Sequence, residues 1–184
     1  MHNPLKRITD IGQTGLIIVA LAMTWAIPAG LSATLSPPTS TVDKGQRDHF
    51  EGDKRQVEYE PPVGWTYIGQ GNSDVSLYQN GKRTLHVEHI TGAEDIPTTI
   101  KRQVRKKSTG GILITLEDQQ IKTSTNFTGK RCRAGTPLGE LQGSCAMFGQ
   151  KGSLVFVMSL AENGTRPLDI DPIVDSFTFK EISK

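Results

Sequence analysis

Hydrophobic positions along the chain fall into three regimes. From Ile11 to Leu35 they run together without a charged residue, through Leu16-Ile17-Ile18-Val19-Ala20-Leu21 and on past Trp25. From Ser36 to Lys54 they thin out among Ser, Thr, Pro and charged residues. From Gln56 onward they alternate or recur at helical spacing. Gln56–Tyr59 alternates as a strand does, and Pro61-Pro62-Val63-Gly64-Trp65 breaks it. Val75–Gln79 and Arg83–Ile90 read as strands joined through Asn80-Gly81, a strong hairpin signal because both residues tolerate positive φ. Leu85 and Val87 would face the core, with His86 and Glu88 on the other face. In residues 93–107, Ile96, Ile100 and Val104 mark one face of a helix that Gly110-Gly111 ends. Residues 112–116 and 120–127 read as strands. Residues 144–150 and 153–160 form a second hairpin across Lys151-Gly152. Residues 168–177 form a short helix, capped by Asp169 or Asp171, and 178–182 trail off extended. Six or seven mostly antiparallel strands and two helices define an α+β domain rather than a βαβ alternation.

The apolar run has the length that crosses a bilayer, about 20 residues. Lys6 and Arg7 precede it, which favours a cytoplasmic N-terminus of residues 1–10 and an extracytoplasmic remainder. Residues 11–35 are thus expected to be a single-pass transmembrane signal anchor. The alternative is a signal peptide cut near Ile27-Pro28-Ala29 or Gly30-Leu31-Ser32. No cysteine lies nearby, so a lipoprotein anchor is excluded. Residues 36–54 read as a Ser/Thr/Pro-rich linker, and 55–184 as the extracytoplasmic α+β domain. The expected location is the cell membrane.

Pro62-Val63-Gly64-Trp65 after an early strand, then a hairpin, a helix, further strands and a closing Ile173-Val174-Asp175-Ser176-Phe177 resemble the PsbP-like fold. That group includes the extrinsic PsbP proteins of photosystem II and the LpqN-type exported proteins of actinobacteria. The resemblance covers about Gln56 to Ile182, and the chain departs from the LpqN type in lacking a lipid-attachment cysteine. It implies a sheet with two packed helices, no enzyme activity, and service as an extrinsic subunit or adaptor.

Composition narrows the chemistry. Among 184 residues, 21 Lys and Arg against 19 Asp and Glu leave a formal charge of +2. That excludes a strongly basic nucleic-acid binder. Two cysteines, Cys132 and Cys145, bracket a Gly-rich stretch and read as a disulfide in an oxidising compartment. They lack Cys-x-x-Cys redox spacing. His86 and His89 would point to opposite faces of a strand, so no metal set converges. No Gly-x-Ser-x-Gly elbow or phosphate loop occurs. No catalytic residue, metal or cofactor is therefore expected. Lys101, Arg102, Arg105, Lys106 and Lys107 place five cations in seven residues. They read as a solvated helix face or as a contact for anionic headgroups or an acidic partner. Trp65 packs as core or, if exposed, anchors an interaction. The expected partners are membrane lipids through the N-terminal helix and a membrane protein complex, with no nucleic acid. The expected function is that of a non-catalytic, membrane-anchored accessory subunit or adaptor of a bacterial membrane complex, respiratory or envelope-lipid-transporting. The alternative is a lipid or small-ligand binding protein of the cell envelope that uses a groove between sheet and helix.

The charge asymmetry around the apolar run yields a test of topology. Alkaline phosphatase fused to the C-terminus should be active in the bacterial envelope. Activity confined to a cytoplasmic reporter would refute the orientation.

Overall fold

The computed structural model describes residues 38–52, 55–69 and 72–181. The expected membrane anchor lies outside the described residues. Among those described, no helix is long and apolar enough to cross a membrane.

Among the described residues, eleven strands and two helices occur in this order: β1 (Thr39–Thr41), β2 (Asp48–Glu51), β3 (Arg55–Tyr59), β4 (Thr66–Ile68), β5 (Val75–Asn80), β6 (Arg83–Ala93), α1 (Ile96–Thr109), β7 (Leu113–Lys122), β8 (Thr128–Gly135), β9 (Leu141–Gln150), β10 (Gly152–Glu162), α2 (Asp171–Ser176) and β11 (Thr178–Glu181). Eight strands form one sheet in the order β1-β4-β5-β6-β10-β9-β8-β7, and β11-β3-β2 form a second. All the pairings are antiparallel. The α+β reading holds, with more strands than the sequence suggested.

Strand β10 explains the layering. Nine consecutive residues, Ser153 to Ala161, are buried. Side chains alternate across a strand, so both faces of the large sheet must be covered. Val155 and Val157 enter a core shared with the small sheet and α2, among Phe50, Val57, Tyr59, Phe148, Ile173, Val174 and Phe177. Leu154, Phe156, Met158 and Leu160 enter a second core on the opposite face, closed by Ile96, Ile100 and Val104 of α1. The closing Ile173-Val174-Asp175-Ser176-Phe177 places Phe177 4.8 Å from Tyr59 and 5.2 Å from Phe148, centroid to centroid.

The structure corrects the sequence reading in four places. Residues 36–54 are not a linker throughout. β1 and β2 arise within that stretch, and Val42 and Phe50 are buried. Two well-spaced apolar residues in a polar segment suffice for an edge strand and a small-sheet strand, yet they leave no visible period. β8 was missed because its inward positions are the small Cys132 and Ala134, flanked by arginines and glycines. The first hairpin turns on Gly81-Lys82, with Asn80 paired to Arg83 and Gly81 at φ +57°. Finally, α2 begins after Ile170 with no side-chain cap, although the Asp171 N–H donates to Asp169 Oδ1 at 3.1 Å.

Cys132 and Cys145 form a disulfide between directly paired residues of β8 and β9, with Cα atoms 4.8 Å apart. The pair sits in the core beneath α1 and joins strands that the sheet already aligns. Glycine is required at Gly129 of β8, where a Cβ would lie 2.0 Å from the Met147 carbonyl oxygen.

Two outcomes follow for stability. Replacing both cysteines by alanine should lower the melting temperature, by an amount corresponding to about 3 kcal/mol, while leaving the circular dichroism spectrum intact. Gly129→Ala, which must push β8 from β9, should be destabilised in a thermal melt by more than a few tenths of a kcal/mol. A wild-type melt for Gly129→Ala would show that the strands are not held this tightly.

Candidate functional site

Helix α1 carries most of the surface chemistry proposed from the sequence. Asp95 caps it, accepting from the Thr98 N–H at 3.3 Å and the Thr98 hydroxyl at 2.7 Å. Lys106 and Lys107 lie in the last turn, where the helix dipole favours cations. Ile100, Thr99 and Gln103 are buried and Ile96 and Val104 half-buried. The opposite side therefore turns Lys101, Arg102, Arg105 and Lys106 toward solvent.

The five-cation run does not act as one patch. Lys107 turns inward, its side chain 17% exposed, and donates to Glu88 on β6. Its ammonium also sits 5.0 Å over the Phe156 ring, an arrangement in which ring and cation attract. Lys106 lies 3.6 Å from the other Glu88 oxygen. His86 Nε2 is 3.2 Å from Glu88 and 3.3 Å from Lys107 Nζ. A single carboxylate thus gathers three basic groups and fastens the end of α1 to the sheet. Burial disfavours ionised Glu88, but hydrogen bonds from His86 and Lys107 and their nearby charges outweigh it. The carboxyl is drawn down to about 2. Lys106 and Lys107 are thereby assigned a structural role, and Lys101, Arg102 and Arg105 remain as the outward basic face.

Trp65 is 4% exposed and belongs to the core, with the Arg83 guanidinium 5.4 Å from its ring centroid. It is not available as an interaction anchor. Cys132 and Cys145 are buried as well and offer no reactive thiol.

Beside α1 lies a groove that sequence reasoning did not resolve. It has a volume of about 360 Å³. Ile96, Pro97 and Ile100 form one wall, Leu116 and Gln120 of β7 the other, and Lys101 and Lys130 also line it. An irregularity in β7 between Leu116 and Gln120 creates this shape. Two positions of β8 span four of β7, so the strand bulges away while Leu116 and Gln120 both stay on the helix side. Leu116 is 37% exposed there. The exposed leucine beside polar residues was the available signal. It does not carry meaning until the bulge is known.

A larger depression of about 680 Å³ lies across β7, β8 and β9 on the other side of the sheet, with Arg131, Arg133, Ser144 and Thr136 among its lining. Arg133 pairs with Glu117 at 2.9 Å and Arg131 with Asp171. Both cations are therefore already engaged. Tyr59, Tyr78 and Asp48 form a buried chain. The two hydroxyls are 2.6 Å apart and Tyr78 donates to Asp48. Burial pushes both phenols well above their ordinary range, which suits a bond between the two sheets and not a proton donor. His89 is buried, stacked on Phe50 at 5.7 Å, with Nε2 2.7 Å from Ser153 Oγ. Burial holds its pKa below the usual histidine value. His86 and His89 do face opposite sides of β6. Among the described residues no three His, Cys, Asp or Glu side chains are placed to hold a metal.

No protein-family model matches the chain, and no curated protein matches it. A crystal structure from Bacteroides thetaiotaomicron VPI-5482 aligns with 79% of this chain and 46% of its own, at 10% identity and a TM-score of 0.32. A likeness of that size carries no argument. The chain spans less than half the length of that neighbour.

Acid titration should expose both buried groups. The neutral folded His89 takes up a proton less readily than the unfolded chain, so stability should decline as pH falls below about 6.5. Glu88 contributes stability above 4.5 that is lost as pH falls toward 2. Glu88→Gln should cost on the order of 3 kcal/mol at pH 7 and flatten the lower limb of a stability-against-pH curve. His89→Asn should flatten the upper limb. Unchanged curves would contradict these assignments.

Proposed function

We propose that the chain is a non-catalytic accessory protein of a bacterial envelope, held by residues 11–35 as a signal anchor, with α1 as its working surface. The observation that carries this reading is the outward basic face. Lys101, Arg102 and Arg105 project from a helix whose last turn is fastened to the sheet by Lys107 and Glu88. Fixed charges on a rigid element suit docking on an acidic surface more than catalysis. The PsbP-like resemblance agrees with an extrinsic subunit or adaptor, and with a respiratory or lipid-transporting complex as the partner. β1 begins at Thr39, so few residues separate the apolar run from the first strand. That spacing suits work close to a membrane.

The groove beside α1 favours a second reading, that of a lipid or small-ligand binding protein. Its volume lies at the lower end of the range of about 300–1,000 Å³ usual for ligand sites.

The docking reading is tested by replacing Lys101, Arg102 and Arg105 with Gln and purifying the tagged full chain in gentle detergent. Co-purifying membrane proteins should be lost at low salt, and wild-type association should weaken as salt rises, since exposed charges are screened within about 8 Å at physiological ionic strength. Stability should change by no more than about 0.5 kcal/mol per site. Retention of every partner by the variant would remove α1 as the docking face.

A further inference from the structure

We propose that the groove between α1 and β7 holds the hydrocarbon chain of a single fatty acid, with its carboxylate at Lys101 and Lys130. This rests on the second reading above and names its ligand. Three observations converge on it.

The first is the division of the lining. Ile96, Pro97, Ile100 and Leu116 supply an apolar trough, while the cations are Lys101 and Lys130, with Gln120 and Thr128 as further polar groups. A neutral apolar ligand would leave both ammonium groups without a role, and a cationic amphiphile would be repelled. An anionic headgroup on an apolar chain matches both parts.

The second is that the two lysines are uncommitted. Among the described residues neither forms an ion pair, in contrast to Lys106 and Lys107, which close on Glu88. Asp95, the acid nearest in sequence to Lys101, bonds Thr98 through both oxygens and feels Lys101 only as a nearby charge, without an ion pair. Glu117, adjacent to Leu116 on β7, is taken by Arg133 on the other side of the sheet.

The third is the bulge. A regular β7 would continue the ladder of β8 without interruption from Leu116 onward. The observed break between Leu116 and Gln120 instead departs from regular pairing where the trough runs, at a cost in ladder hydrogen bonds. Bulges of this kind are common beside functional sites. The volume of about 360 Å³ matches a single-chain ligand, at the lower end of the usual range of about 300–1,000 Å³.

The test uses the full-length protein in phosphatidylcholine nanodiscs and a photoreactive dodecanoic acid. After illumination, digestion and mass spectrometry, cross-links should fall on peptides containing Ile96–Lys101 and Leu116–Lys130. Excess laurate should compete and dodecyltrimethylammonium should not. The paired change Lys101→Gln with Lys130→Gln should reduce labelling about fivefold, the effect of losing roughly one exposed charge interaction. Leu116→Trp, at a half-open position, should abolish labelling by filling the trough. A melt of each variant confirms folding, and the lysine pair decides the matter if Leu116→Trp does not fold. Competition by the cationic amphiphile equal to that by laurate would overturn the carboxylate assignment. Labelling that falls instead along Arg131 and Arg133 would overturn this site while leaving a ligand-binding role standing. Label confined to residues 11–35, uncompeted by laurate, would remove the ligand role altogether and leave docking through α1 untouched.

Discussion

The architecture depends on the double-sided burial of β10. A strand with Val155 and Val157 on one face and Leu154, Phe156, Met158 and Leu160 on the other cannot border water on either side. Burying each of these side chains is worth about 1.5–3 kcal/mol. The chain therefore has to supply two covers. One is the small sheet of β11, β3 and β2 with α2, and the other is α1. Neither cover would form a stable layer by itself. The three-stranded sheet is short, and a helix of fourteen residues is marginal in water without tertiary packing.

The two covers are locked by different chemistry. On the small-sheet side the rings of Phe50, Tyr59 and Phe177 stack, Phe148 meets Phe177 edge to face, and the Tyr59–Tyr78–Asp48 chain adds a polar bond between sheets. On the other side a carboxylate does the fastening. Glu88 binds Lys107 and Lys106 at the last turn of α1, while Asp95 holds the first turn together. Both ends of the helix are thus set by acids, and its cationic outer face stands in fixed positions. The groove lies near the first turn, away from the Glu88 clamp, so a ligand there would not have to break the strongest local ion pair.

Much of the fold was legible because its central strands are long and strongly patterned. β5, β6, β9, β10 and α1 announce themselves through alternation or helical spacing. What was hidden shares one cause, which is that a strand with only one or two small or isolated inward side chains leaves no hydrophobic period. β8 turns Cys132 and Ala134 inward, and β2 contributes only Phe50. The site was less legible. Five cations within seven residues look alike in sequence, and only the position of Glu88 on a neighbouring strand separates Lys107 from Lys101. Leu116 and Lys130 come together through the bulge in β7, a three-dimensional event without a local motif. Trp65 shows the converse, since an aromatic that suggests a contact residue belongs to the core.

The same irregularity in β7 has a bearing on how the protein meets a second copy of itself. β7 is the last strand of the eight-stranded sheet, and among the described residues no strand pairs with its outer side. Such a margin invites a second copy to add on and begin a ribbon. Here the break between Leu116 and Gln120 divides the outer side into two short ladders, and the exposed Asp118 puts a negative charge at the break. An incoming strand would lose registry after four residues and meet like charge from its own copy. The strand that shapes the groove is thus also one that resists edge-to-edge addition.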